Sequence, residues 1–531
     1  MKRALAVALP LLALTLSSVF VYPGRTYLQS DTQIYIPIFE HLLNPAAIQG
    51  DLLLQGVHLR YTIYDEVTLA LRRLSGLDFE WVLLGQQILF RYLGAWGAYL
   101  LARACGLGAL ASVLVSGGLW LGAFVYGPAI ITTEYEPVPR GFAVPLTVLS
   151  VGLLARGAPA LWAGVPLGIA FLYHAPAIWP VLLIAVVLRQ GRFLAATAAS
   201  ALLLAGLSIF QPGPAGAQSF FSILDTPHAH IQQLRAPYNW LYRWLPRYIW
   251  TFAITGPLAL AAAWRLRGVL PPLVRPYALW LPMVGFATIP ASLLLQERLG
   301  WALLPQIQPM RALLYCHLLC QWLGLICAAL ELREGHWLRG AAWLLVPLSL
   351  ALRGDFLQFT PADWTAQAAL ALAVIALAWL SQQHWAAFAL PLLLAVPWAM
   401  ATYGHGAAPS LESPDLRALS EWAKQQGPGS AMYFFPDLGR KPEPGVFRAR
   451  SLQPVYACWK QGGQVNYFAA YAYAWHERWT NLLAPGHAAM DYADLRRRGI
   501  TRLILTQDAP HEPLPLLYTS PGGRYRVYAL R

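Results

Sequence analysis

Apolar runs of helix-spanning length recur along most of the chain. They lie at residues 4–22, 81–102, 108–126, 141–155, 158–173, 175–188, 193–210, 248–264, 276–294, 312–330, 340–352, 364–380 and 384–402. About 20 such residues cross a bilayer as a helix, and lipid admits only helices or closed barrels. The sequence therefore reads as a polytopic α-helical membrane protein of about 13 transmembrane helices. Several of these, notably within 141–188, are short for a full crossing. Hydrophobic residues make up 57% of the chain and charged residues 12%, against about 25% charged in soluble chains. That excludes a purely soluble enzyme, a disordered chain and a disulfide scaffold. The net charge of +13 does not point to nucleic acid, because only 4 of 38 basic residues are Lys. The Arg residues stand singly between apolar runs, as membrane topology requires. Cys105, Cys316, Cys320, Cys327 and Cys458 form no CxxC pair; Cys316 and Cys320, one helical turn apart, read as small apolar packing residues or as a soft metal site, and no structural disulfide is expected within the C-terminal domain, where Cys458 stands alone.

Charge placement sets an orientation. The run 4–22 follows Lys2 and Arg3 without a small-x-small cleavage site, so it reads as an uncleaved first span. With a cytoplasmic N-terminus, the inner connections carry Lys2, Arg3, Arg103, Arg156, Arg189, Arg192, Arg265, Arg267, Arg275, Arg333 and Arg339, opposed only by Glu331 and Glu334. This is the positive-inside pattern. An odd number of spans leaves the C-terminus outside. The expected arrangement is a multi-pass membrane protein with an extracytoplasmic C-terminal domain. Of the 15 acidic residues in 1–402, 13 fall on the outer side. Chemistry is expected there, since carboxylates serve as general bases.

The outer parts have their own organisation. Outer loop 23–80 holds two helical patterns, "DTQIYIPIFEHLLNP" with Ile34, Ile38, Phe39 and Leu42, and "YTIYDEVTLALRRLSG" with Ile63, Val67, Leu71 and Leu74. Both read as short amphipathic helices lying on the membrane surface. A second outer loop spans 211–247. The transmembrane module covers 1–402, and 403–531 reads as a soluble α/β domain with 15 Lys+Arg and 10 Asp+Glu. There "SPDLRALSEWAKQQG" reads as a capped helix, "SAMYFFP" as a strand, "YADLRRRGITRLILT" as helix, Gly and strand, and "RYRVYAL" as a last strand.

No Walker loop, GxGxxG, HExxH, GxSxG or CxxC zinc pattern occurs, which argues against an NTP-driven pump. Polar groups at the outer face remain. Asp31 reads as a general base or as a helix N-cap, and Asp51 in "QGDLLLQG" carries the same two readings. Glu134, Glu136 and Arg140 in "TTEYEPVPRGFAVP" read as substrate ligands or as an ordinary polar loop. Arg243 and Arg247, set among Tyr and Trp, read as a phosphate clamp or as an interfacial aromatic belt. Arg298 and Arg311 form a similar outer-edge pair. Arg91 stands mid-span, with Gln87 one turn before it, and must face the bundle interior or a wet cavity.

Together these features resemble the GT-C superfamily of integral-membrane glycosyltransferases. The resemblance rests on "SDTQIYIP" soon after the first span, the long first outer loop, "EYEPVPRGFAVP" before a short span, "GIAFLYHAPAIWP", and the α/β tail. It implies a polyprenyl-phosphate-linked sugar as donor and an unknown glycan, lipid or protein acceptor. By position, the superfamily's acidic catalytic base maps onto Asp31. Some members carry a paired acidic metal motif. Here Asp31 is flanked by Ser30 and Thr32, so no metal ligand is assigned, a divalent metal is doubtful, and Arg is expected to hold the phosphate. Two other readings stay open. A transporter or flippase would call for paired ionisable groups at the midplane and an internal repeat; only Arg91 is clearly inside a span, and no repeat is evident. A non-catalytic subunit of the same architecture is the other.

Overall fold

The computed structural model describes residues 2–55, 62–210, 221–351, 412–484, 490–509 and 513–530, with a few helical residues between 368 and 397. The expected spans 364–380 and 384–402, and the boundary at 402/403, lie largely outside the described residues. Before that boundary the helices are α1 (Lys2–Phe20), α2 (Thr32–Leu43), α3 (Tyr64–Ser75), α4 (Phe79–Ala104), α5 (Ala109–Leu119), α6 (Pro139–Ala155), α7 (Ala160–Val187) and α8 (Gly191–Phe210). They continue as α9 (Thr226–Arg235), α10 (Pro246–Arg265), α11 (Arg275–Ser292), α12 (Leu304–Ile307), α13 (Leu314–Arg333) and α14 (Trp337–Ala351). Among the described residues, four stretches are long and apolar enough to cross a membrane: Ala160–Val187, Gly191–Ile209, Arg275–Arg298 and Leu304–Arg333.

Two expectations change here. The runs 158–173 and 175–188 form the single helix α7, kinked at His174 (φ −160°, ψ 81°) with Pro176 two residues on. The run 108–126 is helical only to Leu119. It continues as a hairpin of β1 (Phe124–Val125) and β2 (Ile130–Ile131), paired Phe124↔Ile131 and Val125↔Ile130.

The bundle packs through small residues, as membrane helices do. A Cβ on Gly97 of α4 would sit 2.4 Å from the Val148 carbonyl oxygen of α6, and one on Gly152 would sit 2.3 Å from the Gly97 carbonyl oxygen. From Leu314 to Leu332, α13 is buried on every face, which marks it as the bundle centre. Leu161, Trp162, Val186, Leu202 and Trp250 point outward, giving the apolar rim that lipid covers. The Arg-bearing turns share one end of the bundle: Arg333 donates to the Gly106 carbonyl (2.8 Å), and Arg265 pairs Glu331 (2.6 Å). The start of α6, 17 residues before Arg156, lies at the other end.

Residues after 412 form α15 (Pro414–Gln425), β3 (Tyr433–Phe434), α16 (Glu443–Ser451), α17 (Ala469–Arg478), α18 (Tyr492–Arg497), β4 (Arg502–Thr506), β5 (Leu516–Thr519) and β6 (Tyr525–Ala529). Ser413 caps α15 by accepting from the Leu416 N–H (3.1 Å). The sheet order is β3-β4-β6-β5, with β3 parallel to β4 and the other pairs antiparallel.

This C-terminal unit covers the first outer loop. Consequently α2 does not lie on the membrane surface. Every residue from Thr32 to Phe39 is buried, because α16 packs over the face that periodicity alone leaves polar. Arg448 of α16 donates to the Gln33 carbonyl (2.9 Å). By contrast, α3 keeps Leu71 and Leu74 exposed.

Asp51 is placed differently from a substrate ligand. Its carboxylate is sealed between loop and tail, accepting from the Leu53 N–H (2.8 Å), the Val455 N–H (2.9 Å) and Gln461 Nε2 (2.7 Å), with Arg448 at 3.6 Å. Both members of that ion pair have fully buried side chains. Asp51 is a clamp between the two parts of the chain.

Candidate active site

The site starts from a loop held by a carboxylate. Glu136, buried just before α6, accepts from the backbone N–H of Gln29 (3.1 Å), Ser30 (2.7 Å) and Asp31 (2.7 Å) and from the Thr32 hydroxyl (2.6 Å). Four donors on one carboxylate fix the segment leading into α2. Burial and the neighbouring Asp31 push the Glu136 carboxyl above its ordinary range, against these donors. Glu136 is thus a positioning residue for Asp31.

Asp31 occupies the N-cap position of α2, yet its side chain caps nothing. Its Oδ1 lies 3.2 Å from Lys460 Nζ and 3.4 Å from Ser30 Oγ, and Lys460 also donates to Ser30 Oγ (2.9 Å). The carboxylate is still 43% exposed, opening into a cavity of about 600 Å³. Burial favours the neutral acid, but Lys460, with Arg140 and Arg311, holds the carboxyl well below the usual range.

The same cavity is lined by Glu134, Glu136, Arg140, Arg243, Tyr238 and the β1–β2 hairpin. Glu134 and Arg140 pair at 2.5 Å with both side chains largely buried. Arg243 is exposed on the wall with its guanidinium over Tyr242. Arg311, in the middle of the turn Pro309–Leu313 that leads into α13, does not line this cavity but lies over the ring of Tyr238, which does (5.9 Å). Its charge acts on Asp31 and Arg140.

Besides Asp51, three expected ligands fall outside this constellation. The Arg91 guanidinium is buried and donates to the carbonyls of Ser18 (2.6 Å), Gly24 (3.2 Å) and Glu134 (2.6 Å). It ties α1, the first outer loop and the Glu134 loop together, in place of a substrate contact. Arg247 and Arg298 are exposed and do not line the cavity; Arg247 lies over the Tyr248 ring (5.7 Å), as an interfacial belt predicts.

Lys460 is the group that sequence reasoning missed. It is one of only 4 Lys in the chain and precedes two glycines. Gly463 lies against α2, where an added Cβ would sit 2.6 Å from Ile34 Cδ1, so this turn of the tail packs on α2 and carries Lys460 to Asp31. Replacing Lys460 by Met is expected to raise the Asp31 pKa. If Asp31 is the base expected from its position, it acts only when ionised, and the acid limb of the pH–rate profile should move to higher pH. An unmoved acid limb would contradict this coupling.

The residues beside Asp31 are poorly free to take a metal: Glu134 is held by Arg140 and Glu136 by four donors. Among the described residues, three ligand-type groups gather at Glu331, Glu334 and His336. That cluster lies at the opposite end of the bundle, where Arg265 bridges both carboxylates.

No family model matches the sequence, and no curated protein matches it. Solved structures do. The chain is similar to ArnT from Cupriavidus metallidurans bound to undecaprenyl phosphate, with a TM-score of 0.50 at 13% identity, over 99% of this chain and 97% of that one. The fold is of the GT-C type. Weaker likenesses are to the arabinofuranosyltransferase AftD from Mycobacteria (TM-score 0.47, 14% identity) and the oligosaccharyltransferase of Archaeoglobus fulgidus in complex with Zn and sulfate (0.41, 13%). The whole chain spans 42% of AftD, and 98% of it spans 73% of the oligosaccharyltransferase.

Proposed function

We propose that the protein is a membrane glycosyltransferase that moves a sugar from a polyprenyl-phosphate donor to an extracytoplasmic acceptor. The observation that carries this reading is Asp31: a carboxylate that caps no helix, on a loop locked by Glu136, opening into a cavity lined by Arg243 in a GT-C fold. The Asp31 carboxylate takes the proton of an acceptor hydroxyl as that oxygen attacks the anomeric carbon. The bond from that carbon to the phosphate oxygen breaks, and polyprenyl phosphate leaves with the electron pair. Arg243 and Arg311 stabilise the departing charge. The site faces the outside of a bacterial cytoplasmic membrane, with the N-terminus in the cytoplasm and the C-terminal unit over the outer face.

In this mechanism phosphate stabilisation comes from guanidinium groups. Arg311→Ala should weaken donor binding and turnover, and Arg311→Lys should recover only part, because a point charge replaces a fork. Activity should survive chelation. Donor affinity unchanged in Arg311→Ala would remove Arg311 from the phosphate site. Loss of activity with EDTA, restored by a divalent cation, would refute the metal-free step.

A further inference from the structure

The cavity lining is of two chemical kinds. One part is polar and charged, formed by Asp31, Glu134, Glu136 and Arg140. The other is aromatic. Phe124 and Tyr126 of the β1–β2 hairpin have ring centroids 5.7 Å apart and planes inclined by 26°; Tyr126 and Tyr248 of α10 are 5.5 Å apart at 17°. Nearly parallel rings at these separations are offset, not face to face. They tile one continuous surface, and all three are half-buried and line the cavity. The hairpin is pinned from behind. Gly127 has φ +84°, and a Cβ there would meet the Trp244 ring at 2.8 Å, so the indole packs flat on the turn. Trp244 is in turn fixed by donating Nε1–H to the Tyr238 carbonyl (3.0 Å).

We propose that the Phe124–Tyr126–Tyr248 surface is the sugar subsite, binding a ring that offers an unsubstituted C–H face to the aromatics and its hydroxyls to the polar part of the lining. This rests on the proposed glycosyl transfer and adds the class of sugar: one without axial polar groups on the stacked face. A sugar is the ligand that suits both parts of the lining together. Its hydroxyls can hydrogen-bond the exposed Asp31 carboxylate, whereas an isoprenoid chain in the same space would desolvate that charge without hydrogen bonds. Its C–H face covers aromatic carbon that water hydrates poorly.

The test compares binding of undecaprenyl phosphate with binding of a panel of undecaprenyl-phosphoryl hexoses and pentoses, using the full chain in nanodiscs. The wild type should bind at least one sugar-bearing lipid more tightly than the bare phosphate. Tyr126→Ala should lower that gain by roughly 3–10-fold, on the scale of an aromatic contact, with affinity for undecaprenyl phosphate unchanged. Tyr126→Phe should keep the gain, and an unchanged bare-lipid affinity in Tyr126→Ala shows that the variant is folded. Equal weakening of both lipids would assign the surface to the isoprenoid chain and overturn the proposal. So would an undiminished sugar gain in Tyr126→Ala, or no sugar gain in the wild type. In each of those cases wild-type binding of undecaprenyl phosphate leaves the glycosyltransferase reading standing; failure to bind any of these lipids overturns both.

Discussion

Asp31→Asn is expected to lower sugar transfer by about 10²–10⁴-fold, the range a positioned general base supplies, with little change in donor affinity. The substitution preserves shape. Glu136 holds the segment through the backbone N–H of Gln29, Ser30 and Asp31 and through the Thr32 hydroxyl, and none of these contacts uses the Asp31 side chain. Loop position should therefore survive while the amide no longer accepts a proton. The matching measurement is steady-state transfer with donor affinity determined in parallel. A fall in donor affinity that accounts for the whole loss would assign Asp31 to binding. Full activity would remove it from the chemistry.

The second large effect falls on stability. Asp51→Ala strands the Arg448 guanidinium in a fully buried site and removes the acceptor for the Leu53 and Val455 N–H groups and Gln461. Breaking one member of a buried pair costs about 3–5 kcal/mol. Arg448 also donates to the Gln33 carbonyl (2.9 Å), so the loss should reach α2 and loosen the tail from the first outer loop. A lowered thermal midpoint and faster proteolysis within residues 412–530 are the expected readings. The double variant Asp51→Leu, Arg448→Met should recover only the part of the loss that comes from the stranded charge, because the Leu53 and Val455 N–H groups and Gln461 still lack their acceptor. An Asp51→Ala protein as stable and as protease-resistant as the wild type would show that the pair does not clamp the two parts.

What the sequence discloses follows from the range of the interactions. Asp31 stands out locally because a carboxylate follows the first span and starts a helical pattern. Glu134, Glu136 and Arg140 are visible as a polar group ahead of an apolar run, and the structure brings these four residues to one cavity. Their separate roles are not local. Glu136 serves Asp31 from 105 residues away, and Lys460 reaches it from 429. No periodicity connects such segments. The burial of α2 was hidden for the same reason: its pattern shows one apolar face, and only the packed tail explains why the rest is also covered. Arg243, Arg247 and Arg298 look alike in sequence, since each is an outer-edge Arg. Only Arg243 lines the cavity, a consequence of how the turns before α10 fold. Arg91 and Asp51 illustrate the converse. A charge in an apolar context is conspicuous, but here each is consumed by backbone donors or acceptors that bind segments of the fold together.

Asp31 is proposed to drive sugar transfer from a polyprenyl-phosphate donor. The most direct measurement is release of radiolabelled undecaprenyl phosphate from a panel of undecaprenyl-phosphoryl sugars by the purified full chain in nanodiscs, supplied with an envelope extract as acceptor source and run beside Asp31→Asn. The wild type should release it over time from at least one donor, and the variant at a rate at least 100-fold lower, in line with a base contribution of about 10²–10⁴. Release at the same rate in both proteins, or bound donor that stays intact in the wild type, would contradict it.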